Sequence, residues 1–98
     1  MMSSPVDDAI AAIGDGYLTA MRDDLFIRVA EERRRQVVKW GERRNNDPFE
    51  WVSVLTEEVG EVAQAVNDGE LESAFHELVQ VAAVALAFLE DLEVRDAA

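Results

Sequence analysis

The sequence predicts an all-α fold: a helical bundle of about three to four helices, completed by oligomerisation. Three observations carry this. Trp51, Leu55, Val59, Val62 and Val66 recur at spacings of four, four, three and four, which is the apolar stripe of an amphipathic helix. Leu71, Phe75, Leu78, Ala82, Ala85, Leu89 and Leu92 form a second, nearly heptad stripe. The chain has 98 residues, of which 49% are apolar, the size and composition of one globular domain.

Taken in order, residues 1–22 form an N-terminal arm or short helix, and residues 23–98 the single helical domain. Ser4 and Pro5 suit the start of a helix over Val6 to Ile13, and Gly14 and Gly16 weaken it. A longer helix is expected from near Asp23 to Trp40, with Glu31, Glu32, Arg33, Arg34, Arg35 and Lys39 on a charged face. The three arginines read as a solvated, ion-paired face, or as one phosphate contact. Gly41 ends this helix, and a polar, turn-rich loop follows. The next helix starts at Asp47 or Pro48. Asp47 is its cap, and Glu50, three residues on, completes the pattern of a capping box.

Asn67-Asp68-Gly69 breaks the chain before a helix from about Glu70 to Leu92. Beyond Leu78 that helix is apolar almost all round. Such a helix must be covered on every side, which implies a subunit interface. Leu78 to Leu89 is too short to span a bilayer.

The formal charge is −12, which repels nucleic acid and anionic membranes. No cysteine is present, so disulfides and thiolate metal sites are excluded, and a cytoplasmic location is expected. One histidine, His76, rules out a multi-histidine zinc site within one chain; a solvent-facing position is expected for it. Trp51 is expected in the core, whereas Trp40 suits either packing or base stacking.

The chemistry lies in two short patterns, Glu58-Val59-Gly60-Glu61 and Glu77-Leu78-Val79-Gln80. Residues three apart share a helix face, so two packed helices can bring three carboxylates and one amide together. That donor set suits Mg²⁺, with Mn²⁺ as the alternative, and such an ion can hold a polyphosphate. Glu is also common on helix surfaces, and one Glu-x-x-Glu pair is a weak signal. Three details strengthen it. Glu58 and Glu61 border the apolar stripe. Gly60 costs roughly 1 kcal/mol inside a helix and suits a close approach there. Gln80 is the only polar residue between Leu78 and Leu89 and needs a partner.

Glu57-Glu58-Val59-Gly60-Glu61-Val62, followed by Glu77-Leu78-Val79-Gln80 with fifteen residues between Glu61 and Glu77, resembles the signature of the MazG-type all-α nucleoside triphosphate pyrophosphohydrolases. Gln36-Val37-Val38-Lys39-Trp40-Gly41 resembles the segment that precedes it, and the likeness covers about residues 25–92. The resemblance implies a helical bundle assembled as a homodimer or homotetramer. It implies Mg²⁺ on Glu58, Glu61, Glu77 and the position of Gln80, and hydrolysis of a nucleoside triphosphate to monophosphate and pyrophosphate. Glu58 or Glu61 would accept the proton of the attacking water. Trp40 falls where the family places an aromatic against the base; Lys39 and Gln36 would contact phosphate or base. Gln80 departs from the family's Asp. An amide still coordinates Mg²⁺ but brings no charge, so a catalytically weakened nucleotide-binding or regulatory protein is the alternative. A plain helical oligomerisation module is the third reading.

Overall fold

The computed structural model describes residues 4–13, 15–41 and 46–97, with side chains at 4–13, 23–41 and 46–95. They form four helices: α1 (Pro5–Ile13), α2 (Asp15–Trp40), α3 (Pro48–Asn67) and α4 (Leu71–Ala97). No strand occurs among the described residues.

The ends of the helices follow local chemistry. The Asp7 backbone N–H donates to Ser4 Oγ at 3.1 Å, so Ser4 caps α1. α2 begins at Asp15, eight residues before the expected Asp23 and across the expected boundary at residue 22. Gly16 does not stop it, because Leu18, Ala20, Met21 and Arg22 favour helix enough to offset one glycine. Gly41 ends α2 at φ +90°, a conformation that glycine adopts at no steric cost.

At α3, the Glu50 N–H donates to Asp47 Oδ1 at 2.9 Å and Pro48 fills the first turn, as expected. Asp47→Ala should therefore cost about 1 kcal/mol, read as a lower urea midpoint with an unchanged slope. α3 closes at Asp68-Gly69, with Gly69 at φ +74° and the Glu70 N–H returning to the Ala65 carbonyl at 2.9 Å.

This short turn makes α3 and α4 an antiparallel hairpin. Its core is Trp51, Val84 and Ala87, with Val54, Leu55 and Phe88 packed against them. The Trp51 and Phe88 rings stack with centroids 5.7 Å apart. Among the described residues, α2 packs on α4 and not on α3, and α1 touches α2 alone. Arg33 of α2 pairs with Glu90 of α4 at 3.0 Å, and Arg28 lies over the Phe75 ring at 5.2 Å.

Trp51 is buried as expected, but the two apolar stripes are only partly the core. On α3, Leu55 and Val62 turn inward, whereas Val59 and Val66 are exposed. On α4, Leu71, Phe75, Leu78, Ala82, Leu89 and Leu92 are exposed, and the buried positions are Ala74, Ala83, Val84 and Ala87. Small side chains let the helices approach closely, so the alanine face is covered and the leucine face stays open. Within the chain nothing among the described residues comes close to Gly60: a Cβ there would meet nothing within 4 Å. His76 is exposed. No helix among the described residues is long and apolar enough to cross a membrane.

Candidate functional site

The hairpin brings the acidic residues together. Glu58 and Glu61 lie one turn apart on α3, and Glu77 comes from α4. Each offers a carboxylate oxygen, and these oxygens lie within 4.8 Å of one another. Glu58 and Glu77 are half-buried, and Glu61 is exposed. Oε2 of Glu58 and Oε2 of Glu77 are both shielded from solvent without a hydrogen-bond partner.

That arrangement is costly for the protein alone. Burial, and then the charges of Glu61 and Glu77, push the Glu58 carboxyl up to about 7. Burial first, and then Glu61, also raise the Glu77 carboxyl above the usual carboxylate range. A buried, partnerless carboxylate oxygen is unfavourable, and three acids held together repel. A hard divalent cation removes both costs, because it supplies positive charge and accepts oxygen ligands. The donor set therefore fits such an ion.

A cavity of about 470 Å³ opens beside the cluster, bordered by Glu58, Glu61 and Gln80 on the hairpin side. α2 supplies the opposite wall with Glu32, Arg35, Gln36, Val38, Lys39 and Trp40. One wall is thus acidic and the other carries two cations. Arg35 also pairs with Glu32 at 3.0 Å, and Lys39 Nζ lies 5.2 Å from the centroid of the Trp40 ring.

A second cavity, of about 480 Å³, shares Gln36 and Trp40 with the first. Trp51, Val84, Ala87, Arg33, Glu90 and Asp91 also line it. Gln36 is only 5% exposed, although it lies between two open spaces. Trp40, at the helix end, is partly exposed.

Every residue proposed from sequence borders this region. Glu58, Glu61 and Glu77 converge; Gln80, Gln36, Lys39 and Trp40 line the adjoining cavity. Arg35 was not singled out from its triplet. It lies one turn before Lys39, and that spacing was the available signal. Arg33, by contrast, is engaged by Glu90.

No family model, curated protein or solved structure matches the chain.

Proposed function

We propose that this protein is a Mg²⁺-dependent nucleotide pyrophosphohydrolase, cleaving a (d)NTP to the (d)NMP and pyrophosphate. The observation that carries the reading is the convergence of Glu58, Glu61 and Glu77, two of them with shielded, partnerless oxygens, beside a cavity whose far wall bears Arg35 and Lys39.

Bound Mg²⁺ would neutralise charge on the phosphate oxygens and lower the pKa of an attacking water. Glu58, Glu61 and Glu77 would hold the ion, and the Gln80 amide oxygen would serve as a neutral fourth donor. Arg35 and Lys39 face the acidic wall, where they would hold the outer phosphates of the chain. Trp40 offers a ring face to the base, and Gln36 an amide to its edge. The water oxygen bonds to phosphorus, the phosphorus–oxygen bond to pyrophosphate breaks, and the proton passes to Glu61 or Glu58. Glu61 is the exposed member of the trio and therefore the one water reaches first.

The test is pyrophosphate release from a panel of ribo- and deoxynucleoside triphosphates, modified bases included, with Mg²⁺ or Mn²⁺. Release is expected from at least one. No release from any of them, by protein that binds the ion, removes the enzyme claim.

Gln80 favours a second reading, a weakened relative that binds nucleotide or regulates a partner. If Gln80→Asp creates activity where the parent has none, this second reading holds. An active parent left unchanged by the substitution excludes it. The module reading predicts no divalent binding by calorimetry; binding lost in Glu58→Ala excludes that reading.

A further inference from the structure

We propose that the cavity of about 480 Å³ between α2 and the hairpin takes the base of the nucleotide and selects bases that carry an exocyclic amine, with Asp91 as the residue that reads the amine. This rests on the nucleotide reading of the acidic site. It goes beyond that reading by naming the substrates: nucleotides of cytosine, adenine and guanine over those of uracil, thymine and hypoxanthine.

The cavity suits a planar ring. Val37, Trp40, Trp51, Val84 and Ala87 give it apolar walls, and its volume falls within the range of small-molecule sites. It also adjoins the acidic site. Gln36 and Trp40 line both cavities, so one ligand can place a ring here and a phosphate chain beside Glu58 and Glu61. Gln36 marks the junction. It is 5% exposed, and its amide makes no hydrogen bond to another described residue. A buried amide without a partner is costly, and the polar edge of a ligand removes that cost.

The remaining polar groups of the lining decide which edge fits. The Arg33 guanidinium is held by Glu90 at 3.0 Å. Asp91 is anchored differently. Its side chain is 11% exposed, and its Oδ2 accepts the Trp51 indole N–H at 3.0 Å and the Arg95 Nε–H at 2.9 Å. These donors fix the carboxylate in place, and a carboxylate has about four acceptor sites. It accepts and does not donate. An exocyclic amine gives it an N–H, in a bond strengthened by the carboxylate charge. A carbonyl oxygen in the same place sets acceptor against acceptor, which rejects the base. The Gln36 amide both donates and accepts. It therefore suits the polar ring atom beside the amine in any of the three bases, and leaves the choice to Asp91.

The test uses bases that differ by amine against carbonyl at one position. Cytidine against uridine, and adenosine against inosine, are titrated into the full chain in EDTA. Binding is followed on the indole N–H resonances of the two tryptophans, both of which line the cavity. Nucleosides carry no phosphate, so neither metal nor catalysis enters. The amine-bearing member of each pair should bind about 10- to 100-fold more tightly, the discrimination that one good base-edge contact gives. It should also shift the Trp51 signal, whose N–H sits on Asp91. Asp91→Asn, with an amide that donates as well as accepts, should bring the members of each pair to equal affinity. Equal binding within each pair by the parent chain overturns the proposal, whether or not that variant folds. So do tighter binding of uridine and inosine, indole signals unmoved by all four nucleosides at millimolar concentration, or a folded Asp91→Asn that keeps the parent ratios. The two readings fail separately. Nucleoside selection without pyrophosphate release removes the enzyme claim and keeps the base site. Pyrophosphate release at equal kcat/KM from dCTP and dUTP removes the base site and keeps the enzyme.

Discussion

Glu58→Gln is expected to abolish divalent-cation binding and, at the same time, to stabilise the ion-free protein. The two effects have one cause. Glu58 is held against Glu61 and Glu77, with one oxygen shielded and unpartnered, so its charge is unfavourable unless a cation is present. The neutral amide removes that charge in nearly the same volume. The gain should be on the order of 1–2 kcal/mol, since water screens part of the repulsion, or several degrees in Tm for a domain of this size. Affinity for Mg²⁺ or Mn²⁺ should fall at least 100-fold. Glu77→Gln should act in the same direction on both readouts. Glu61→Gln, more exposed, should lose binding with less gain in stability. Calorimetry and thermal melts measure the two quantities separately. A destabilised Glu58→Gln protein, or one that binds the ion as before, contradicts the site.

The same carboxylate sets a pH dependence of defined sign. Its folded-state pKa is raised from 4.5 to about 7, so between those values the folded protein binds more protons than the unfolded chain. Stability of the ion-free protein should therefore fall as pH rises from 4.5 to 7, and level off above that. The contribution is fully present at acid pH, the opposite of an ordinary salt-bridged acid. Ion binding must displace the proton, so Mg²⁺ affinity should rise over the same interval. Thermal melts at pH 5 and pH 8, with and without Mg²⁺, check this. The ion should stabilise strongly at pH 8 and little at pH 5.

Much of this site could be read from the sequence because its determinants are local. Asp47 announces the start of α3 through one cap, and Asn67-Asp68-Gly69 announces its end. A turn that short makes the next helix antiparallel, so Glu77 returns toward Glu58 and Glu61. What periodicity could not reveal is which apolar face looks inward. α4 has an alanine face and a leucine face, and hydrophobicity favours the leucines. Packing distance decides otherwise: Ala74, Ala83 and Ala87 are buried because close helices need small side chains, and the leucines are left for another surface. The early start of α2, at Asp15, follows from its length. Glycine weakens a helix locally, but 26 residues of continuous helix absorb one such cost. Within the arginine triplet, the one-turn spacing to Lys39 is the sole sign that Arg35 borders the cavity.

Trp51→Ala should unfold the chain or leave it marginal, and Trp51→Phe should not. Trp51 is 3% exposed, stacks on Phe88 and donates its indole N–H to Asp91 at 3.0 Å. The other buried apolar residues among those described are Ala65, Ala74, Ala83, Val84 and Ala87, so no other fully covered side chain replaces its area. Truncating a buried Trp costs about 3–5 kcal/mol, against a total stability of roughly 5–15 kcal/mol for a domain, and this interior is thin. The loss also spreads. Asp91 holds Arg95 at 2.9 Å, and Arg95 reaches the Asn46 carbonyl just before α3, so Trp51 sits in the joint between the start of α3 and the end of α4. Trp51→Phe keeps a ring against Phe88 and forfeits one hydrogen bond, about 1 kcal/mol. The comparison by urea denaturation, followed by circular dichroism, separates ring packing from the indole bond. Equal midpoints for Trp51→Ala and the parent would show that another contact organises the hairpin. Loss of the Trp51→Phe fold would place the stabilisation in the Asp91–Arg95 network instead.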